Sequence, residues 1–335
     1  MHVLFNGSAG SAADADIEVL RTIPGVDLVV CDDPDDTVEA AATAAHAGAD
    51  RVVAAGGDGT VHLVANGLMK AGTTAATRPV LGVIPLGTGN DLARTLDLDA
   101  GLSPVEAVDA IRRAPVRTLD LIRVSHRDDH DATDYAVNVC AGGFSGTVDE
   151  VMTDELKSTW GPLAYLVGAV KALPEIETYD TRVAWDGGPE ERVAAYNVVV
   201  ANARTAGGGK PVAPRANPED GLLDVVVVRA DADLVRLAAR VLAGDYLDDP
   251  DIVYNRVASL RVRSSPGMWF NVDGELRTNA PVTFEAVPAA LRVSVGPGYR
   301  AAPPLTSRRR PPPAVSASRY SGTPTVLACL VSRAT

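Results

Sequence analysis

The chain has 335 residues, of which 46% are hydrophobic, and it carries a formal net charge of -12. Because one domain usually takes roughly 100 to 200 residues, this length predicts two domains with sizeable cores. The acidic balance argues against extended polyanions as partners, and three scattered cysteines are too few for a disulfide framework or a zinc site.

The first 120 residues alternate short β-branched runs with amphipathic stretches. This alternation is typical of a parallel sheet that is covered by helices on both faces. It predicts strands at Val3–Phe5, Val26–Cys31, Arg51–Ala55 and Val80–Ile84, and helices at Ser11–Thr22, Asp36–Gly48, Val61–Ala71, Asn90–Leu96 and Ser103–Arg113. We therefore expect a doubly wound α/β unit in this part of the chain.

Two glycine-rich turns follow the third and fourth predicted strands. The first is Gly56-Gly57-Asp58-Gly59-Thr60, and the second runs from Pro85 to Asp91. Glycines let backbone N–H groups converge on phosphate oxygens, and open α/β sheets bind ligands at the carboxyl ends of their strands. One such turn alone is more often an ordinary turn, but two at matching strand ends indicate a nucleotide-phosphate site.

Polar side chains inside these turns have roles of their own. Asp58 cannot attract a phosphate itself, so we expect it to hold a metal ion or to order the loop. Asn90 and Asp91 open the next predicted helix, and we expect them to cap its free N–H groups.

After Asp120 the pattern changes to many short strand-like runs separated by turns. They lie at Leu121–Val124, Ala136–Val139, Thr181–Trp185, Ala194–Ala201, Leu223–Val228, Ser259–Arg263, Trp269–Val272, Val282–Glu285 and Leu291–Val295, with helix-like stretches at Gly161–Leu173 and Asp233–Ala243. This pattern predicts an antiparallel, sandwich-like second domain. A ligand site in the cleft between the two domains is the natural expectation.

We expect a soluble protein, and we expect no metal role for the histidines of the polar run near residue 130. His126 and His130 lie in a polar run that reads as a hairpin loop, where surface histidines are the default. The tail 301–335 has no periodicity and is expected to be disordered. No apolar run approaches the roughly 20 residues that span a bilayer, so we expect a cytoplasmic location with at most peripheral membrane contact.

Three groups of residues resemble the diacylglycerol-kinase catalytic family of lipid kinases. They are the runs Gly56–His62 and Pro85–Ala93 and the later Asp273-Gly274-Glu275. Within that family, Asn138–Phe144, Ala206–Gly209 and Asp220–Leu223 most resemble the bacterial YegS-like branch. The resemblance covers Met1 to about Arg300.

The resemblance implies the two-domain fold of NAD kinases and phosphofructokinases. It divides the chain into a nucleotide-binding α/β domain at 1–124, completed by a segment returning near 290–300, and a β-rich substrate domain at 125–290. The implied activity is transfer of phosphate from ATP to a lipid hydroxyl, with Mg²⁺ as cofactor, in lipid metabolism such as phospholipid biosynthesis. Positioning and charge neutralisation matter most in such a transfer.

The same resemblance assigns roles to single residues. Those implied to hold the nucleotide are Gly56, Gly57, Asp58, Gly59, Thr60, Val61, His62, Gly87, Thr88 and Asn90. Asp58 would also order the phosphates with magnesium, and Glu275 would accept the proton of the substrate hydroxyl. Asp273 would tune the pKa of Glu275 or bind magnesium. The competing interpretation of Asp273-Gly274 is a plain β-hairpin turn.

A second acidic site resembles the family's magnesium position. It consists of the Asp220 carboxylate with backbone oxygens from Asn217 and Leu222, a donor set that suits a hard cation. The competing interpretation is a simple turn. The chain also departs from the family pattern, because Cys31 replaces a nucleotide-contacting threonine and Asn6-Gly7 replaces Asn-Pro, with Ser8–Ser11 as a further candidate phosphate loop.

Three functions follow, in this order of preference. The first is an ATP-dependent lipid kinase, acting on diacylglycerol, phosphatidylglycerol, a sphingoid base or an ether-linked glycerolipid. The second is a kinase of the same superfamily with a soluble acceptor such as NAD. The third is a nucleotide-binding regulator without turnover.

Overall fold

In the computed structural model, four parallel strands form the N-terminal sheet in the spatial order β4-β3-β1-β2. The strands are β1 His2–Asn6, β2 Asp27–Cys31, β3 Arg51–Gly56 and β4 Val80–Pro85. The helices between and after them are α1 Ala13–Thr22, α2 Pro34–His46, α3 Asp58–Lys70, α4 Asp91–Thr95 and α5 Pro104–Arg113. The predicted α/β pattern is therefore confirmed in this part of the chain.

Both faces of the parallel sheet are buried by helices. Val52 and Ala54 of β3 pack in a cluster with residues of α2 and α3, whereas Val53 and Ala55 pack with residues of α1 and α5. Because successive residues of a strand point to opposite faces, an uninterrupted apolar run is what a doubly covered strand requires.

The capping residues of α2 and α5 explain why these helices begin at residues other than those predicted. Asp33 caps α2 by accepting a hydrogen bond from Asp35 N–H at 2.8 Å, and Pro34 takes the first helical position. This helix thus begins two residues earlier than predicted. At α5, Ser103 forms a capping box with Glu106 and lies just outside the helix.

Among the residues of the second half that the structure describes, antiparallel strands dominate and one further helix is present, α6 Leu234–Leu242. The strands are β5 Val116–His126, β6 Asp134–Ala136, β7 Val139–Gly143, β8 Tyr179–Trp185, β9 Glu190–Ala201, β10 Thr205–Ala206, β11 Lys210–Pro211, β12 Leu223–Arg229, β13 Ile252–Val257, β14 Ser259–Ser265, β15 Trp269–Val272, β16 Glu275–Asn279 and β17 Val282–Ser294. The order β16-β15-β7-β9-β8-β14-β17 leads to the parallel strands. The predicted antiparallel arrangement is confirmed.

Strand β17 connects the two halves. It pairs antiparallel with β5 from Val282 to Ser294, and Val293 pairs in parallel with Leu81 of β4. Two strands were predicted here, but the chain forms one strand with an irregularity between Val287 and Leu291. A returning segment thus extends the parallel sheet, while the domain division near residue 124 stays a prediction.

The structure describes residues 1–7, 13–98, 100–126, 133–143, 177–243 and 245–301. Predictions outside these ranges concern the loop Ser8–Ser11, His130, the helix Gly161–Leu173 and the tail beyond Ala301. Among the described helices, none is long and apolar enough to cross a membrane.

Candidate active site

The first glycine-rich turn opens helix α3. Gly57 takes the N-cap position in an extended conformation, and no side chain caps the helix there. Val61 N–H donates to Gly57 O at 3.2 Å. The N–H groups of Asp58, Gly59 and Thr60 precede this bond and point out of the helix end, where the helix dipole is positive. An anion is the partner that suits such a helix end best.

The second glycine-rich turn packs directly against the first. Leu86 N–H donates to Gly56 O at 2.9 Å, and a Cβ built on Gly87 would lie only 2.5 Å from Gly57 Cα. This close approach therefore requires glycine. A Cβ on Gly59, in contrast, would meet no protein atom within 4 Å. The space beside Gly59 at the helix end is therefore open.

Asn90 closes the second turn and does not cap α4 with its side chain, which corrects the prediction. Its amide donates to Gly87 O at 2.5 Å, and its Oδ1 accepts Gly87 N–H at 3.1 Å. Its backbone is left-handed, with φ 50°, a conformation that asparagine tolerates better than most residues. Thr88 lies exposed in the same turn, where a ligand can reach it.

Asp58 takes over the capping of α4. Its Oδ1 accepts Asp91 N–H at 2.9 Å and Leu92 N–H at 3.4 Å, so Asp58 orders the second turn. Burial raises the pKa of Asp58 to about 6, and the charges of Asp91 and Asp273 add to that effect. A divalent cation beside this carboxylate would offset the cost of ionising it, so Asp58 fits the magnesium ligand that the resemblance implies.

Asp91 connects the second turn to the other half of the chain. Its two carboxylate oxygens accept Gly208 N–H at 2.9 Å and Gly209 N–H at 2.6 Å. Asp91 was predicted only as a helix cap. Its contacts with residues more than 100 positions away show that it joins the second glycine-rich turn to the β10–β11 turn.

His62 lies inside the protein between two carboxylates. Its Nδ1 is 3.1 Å from Asp273 Oδ2, and its Nε2 is 3.4 Å from Asp134 Oδ1. Burial alone lowers the pKa of His62, but hydrogen bonds to Asp134 and Asp273 outweigh it and raise the pKa to about 10. These contacts thus favour the protonated form of the imidazole at neutral pH.

Burial limits how three residues of the predicted nucleotide set could contact a ligand. Only 3% of the His62 side chain is exposed, and the side chains of Thr60 and Val61 are buried as well. A nucleotide could meet these three residues only through their backbone. Thr88 is exposed, and other members of the set are partly exposed, namely Gly57, Asp58, Gly59 and Gly87.

Asp273 is saturated with hydrogen bonds. Its Oδ1 accepts Asn138 N–H at 2.9 Å and Val139 N–H at 3.0 Å. Its Oδ2 accepts Val137 N–H at 2.7 Å and contacts His62. Because donors occupy both oxygens, a role in positioning the turn suits Asp273 better than the magnesium contact that was the alternative for it.

Glu275 is the first residue of β16, directly after the Asp273-Gly274 turn. Both turn residues have positive φ, at 48° and 106°, and β15 pairs with β16 across them, so the feature is a tight hairpin. Asp273 also contacts His62, so the hairpin turn lies against helix α3, which opens with the first glycine-rich turn. The Glu275 carboxylate is 43% exposed and contacts the Arg277 guanidinium.

The predicted second metal site already contains an internal cation. Arg256 donates to Asp220 Oδ2, and Leu222 N–H donates to Asp220 Oδ1 at 3.1 Å. The Asn217 side chain accepts Glu219 N–H at 3.1 Å. Among the described residues, no three Asp, Glu, His or Cys side chains form a group that could hold a metal ion. Magnesium at Asp220 would therefore have to displace Arg256.

Sequence reasoning missed Asn66, Asp134 and Arg277. Asn66 Nδ2 donates to Tyr135 O at 2.9 Å, and Asn66 Oδ1 accepts Tyr135 N–H at 2.9 Å, which fixes β6 to α3. Asp134 lies beside His62, although the two are 72 positions apart in sequence. Asp134 ended a polar run that was interpreted as a loop, and no local pattern pointed to its partner.

Two family models match nearly all of the described chain. The diacylglycerol kinase catalytic domain matches residues 1–124. The YegS C-terminal NAD kinase beta sandwich-like domain matches residues 138–295. The expected family resemblance is thus confirmed in both halves.

Curated relatives and solved structures agree with the family models. A probable lipid kinase YegS-like of Xanthomonas euvesicatoria is 37% identical over 73% of this chain and 79% of its own length. A diacylglycerol kinase of Bacillus subtilis is 30% identical over 74% and 78%. A crystal structure of a diacylglycerol kinase from Bacillus anthracis has a TM-score of 0.67 at 20% identity, covering 89% of this chain and 97% of that one. The last likeness supports the fold.

Proposed function

The chain belongs to the diacylglycerol-kinase and YegS-like family of lipid kinases, and from that membership we propose that it transfers the γ-phosphoryl group of ATP to a hydroxyl group of a membrane lipid. The observation that carries the proposal is the 3.1 Å contact between His62 on α3 and Asp273 in the hairpin. It connects the helix that opens with the glycine turn to the turn that carries Glu275.

The phosphate groups of the nucleotide are proposed to bind at the N-terminus of α3. The supporting observations are the absence of a capping side chain at Gly57 and the open space beside Gly59. The second turn, held against the first by the contact of Gly87 with Gly57, would shape the same site. Thr88 would add a hydroxyl contact from the exposed side.

When bound, ATP supplies the phosphoryl group, and magnesium neutralises the negative charge of its phosphates. Asp58 would hold this ion with one carboxylate, while substrate phosphates and water complete the shell, as magnesium prefers. The Asp220 site is left out of the proposed chemistry, because Arg256 already neutralises that carboxylate.

Glu275 is proposed as the general base. It would take the proton of the lipid hydroxyl as the hydroxyl oxygen forms its bond to the γ-phosphorus and the bond to the bridging oxygen of ADP breaks. Partial exposure of Glu275 leaves it accessible to an acceptor that approaches from a membrane surface. We propose that this membrane contact is peripheral.

The direct test is transfer of label from γ-labelled ATP to lipid. The full chain would be incubated with magnesium and with vesicles that contain diacylglycerol, phosphatidylglycerol, a sphingoid base or an ether-linked glycerolipid. We expect one lipid class to be labelled, with no labelling when magnesium is removed by a chelator. The labelled lipid, identified by mass spectrometry, gives the acceptor.

Two outcomes would overturn the proposal. Efficient conversion of NAD to NADP would show that the chain is a kinase with a soluble acceptor, the second function considered above. Tight nucleotide binding without transfer to any of these acceptors would support a regulator without turnover.

A further inference from the structure

Five side chains of alternating charge connect helix α3 to Glu275. His62 lies between Asp273 and Asp134, with 3.1 Å from Nδ1 to Asp273 Oδ2 and 3.4 Å from Nε2 to Asp134 Oδ1. Arg277 Nε is 3.9 Å from Asp134 Oδ2, and the Arg277 guanidinium contacts Glu275. We call this series, from Asp273 through His62, Asp134 and Arg277 to Glu275, the charge chain.

The geometry of the charge chain favours a protonated imidazole. Asn66 Nδ2 is also 3.3 Å from Nε2, but it donates to His62 O and Tyr135 O, both at 2.9 Å. A neutral histidine has one N–H and could donate to only one carboxylate, whereas both ring nitrogens of His62 face a carboxylate oxygen. The ring is almost fully buried, and an imidazolium would add one N–H to the hydrogen bonds that Asp273 and Asp134 already accept from backbone groups. His62 therefore serves as the cation that holds Asp273 and Asp134 together.

Asp134 is the junction of the charge chain. It lies on β6, which Asn66 fastens to α3 through two backbone hydrogen bonds to Tyr135. His62 and Arg277 together outweigh the effect of burial and hold the pKa of Asp134 below its usual range. Arg277, at 3.9 Å, thus has an ion pair with a residue that is fastened to the helix that opens at the glycine turn.

The exposed fraction of the side chains rises along the charge chain from Asp273 to Glu275. His62 and Asp273 are each 3% exposed, Asp134 is 25% and Arg277 is 40% exposed. The buried end is rigid, because each of its groups has several fixed partners. The exposed end holds Glu275 at the surface, where the proposed acceptor hydroxyl would arrive.

We propose that Asp134 and Arg277 are positioning residues of the kinase reaction, which hold the Glu275 carboxylate in a fixed relation to the nucleotide end of α3. This inference rests on the proposed role of Glu275 as the general base. It adds two residues that do not belong to either glycine turn and that reach the reaction only through Glu275.

The test compares Arg277→Met with Arg277→Lys in the full chain. Because a small misplacement of a reacting group can cost about 100-fold, we expect Arg277→Met to lower kcat by about 10- to 100-fold. The KM for ATP should stay within about twofold, because Arg277 touches no proposed nucleotide contact. Arg277→Lys keeps the charge and should recover part of kcat.

A matched control is available on the same sheet. Arg263 on β14 is 53% exposed and pairs with Glu190, at 3.4 Å, away from the charge chain. Arg263→Met removes a comparable surface ion pair and should leave kcat unchanged. If Arg263→Met and Arg277→Met have the same effect, the specific role of Arg277 is wrong.

The Asp134→Asn variant tests the junction. We expect a fall in kcat similar to that of Arg277→Met and no further fall in the double variant, because both changes interrupt one chain. Additive losses would contradict a shared path. If Asp134→Asn does not fold, the two Arg277 variants decide the proposal. The Arg277 side chain is 40% exposed, so its substitution should not prevent folding.

Nuclear magnetic resonance gives a readout without turnover. In the wild-type protein at pH 8, the ¹⁵N shifts of His62 should be those of an imidazolium with both nitrogens protonated. A neutral His62 at pH 8 would break the charge chain at its centre and overturn the proposal.

Glu275→Gln, measured in parallel, separates this inference from the proposed function. If Glu275→Gln keeps full activity, the general-base assignment fails and the inference fails with it. If Glu275→Gln is inactive while Arg277→Met and Asp134→Asn keep the wild-type kcat, the positioning inference alone is wrong. A loss of ATP affinity in the Arg277 variants equal to the loss of kcat would indicate a merely structural role.

Discussion

The two glycine-rich turns and the Asp273–Glu275 hairpin are held in place by different forces. The turns rest on backbone contacts, above all the approach of Gly87 to Gly57 and the capping of α4 by Asp58. The hairpin is held by buried charges, with His62 between two carboxylates. A region fixed by backbone sterics shows itself as a local motif, whereas a region fixed by charges depends on residues far apart in sequence.

The largest effect should come from the hairpin, through Glu275→Gln. Loss of a general base usually costs 10² to 10⁴-fold, so we expect kcat to fall by about that factor. ATP binding should be retained, because the proposed phosphate contacts lie on the turns. Titration calorimetry with ATP and a lipid-labelling assay measure the two quantities. Full activity in the variant would show that another group accepts the proton.

The next prediction compares the free energy of unfolding of the wild-type protein with that of His62→Gln, at the buried end of the charge chain. Removal of one partner from a buried ion pair costs about 3–5 kcal/mol, so His62→Gln should lower the free energy of unfolding by about that amount near pH 6. Urea unfolding curves of both proteins measure it. His46→Gln, in an exposed helix end, is the control and should have little effect.

The same pair of proteins has a defined pH dependence. The pKa of His62 is about 10 in the folded protein, above the usual value of 6.5, so protonation stabilises the folded state. This contribution is fully present below about pH 6.5 and is lost as the pH rises through about 10. The difference between wild type and His62→Gln should therefore shrink over that range. A constant difference would contradict a buried imidazolium.

Two alanine variants distinguish the packing role of one glycine turn from the proposed phosphate-binding role of the other. Gly87→Ala places a Cβ 2.5 Å from Gly57 Cα and should destabilise the fold by about 1–3 kcal/mol. Gly59→Ala meets no protein atom within 4 Å, so it should leave the melting temperature unchanged or slightly raised. If phosphate fills the space beside Gly59, this variant should still weaken ATP binding by about 10-fold, or about 1.4 kcal/mol. Unchanged ATP affinity in stable Gly59→Ala would place the phosphates elsewhere.

The smallest effect is expected at Asp220. A magnesium ion bound there at ten times its Kd would add about 1.4 kcal/mol of stability. Because Arg256 already neutralises this carboxylate, we expect millimolar magnesium to leave the melting temperature of the nucleotide-free protein unchanged. A rise that Asp220→Asn abolishes would show that magnesium binds at Asp220, as the resemblance implied.

Much of the architecture could be predicted from the sequence. Uninterrupted apolar runs such as Val52–Ala55 indicate doubly covered strands, and Gly87 marks a position where the chain must approach another group closely. Trp269–Val272 was predicted with its observed bounds, and the Asp-Gly turn after it is a strong hairpin signal. These features depend on neighbours in sequence, so their pattern is visible there.

The arrangement of charges was decided by the tertiary structure alone. Nothing near His62 in sequence indicates that two carboxylates, 72 and 211 residues away, will enclose it, and the motif suggested a nucleotide contact instead. The contact between Arg256 and Asp220 could not be predicted from the sequence either. Electrostatic and hydrogen-bond contacts between distant residues follow from the path of the chain through space, and a linear pattern of residue types carries no record of that path.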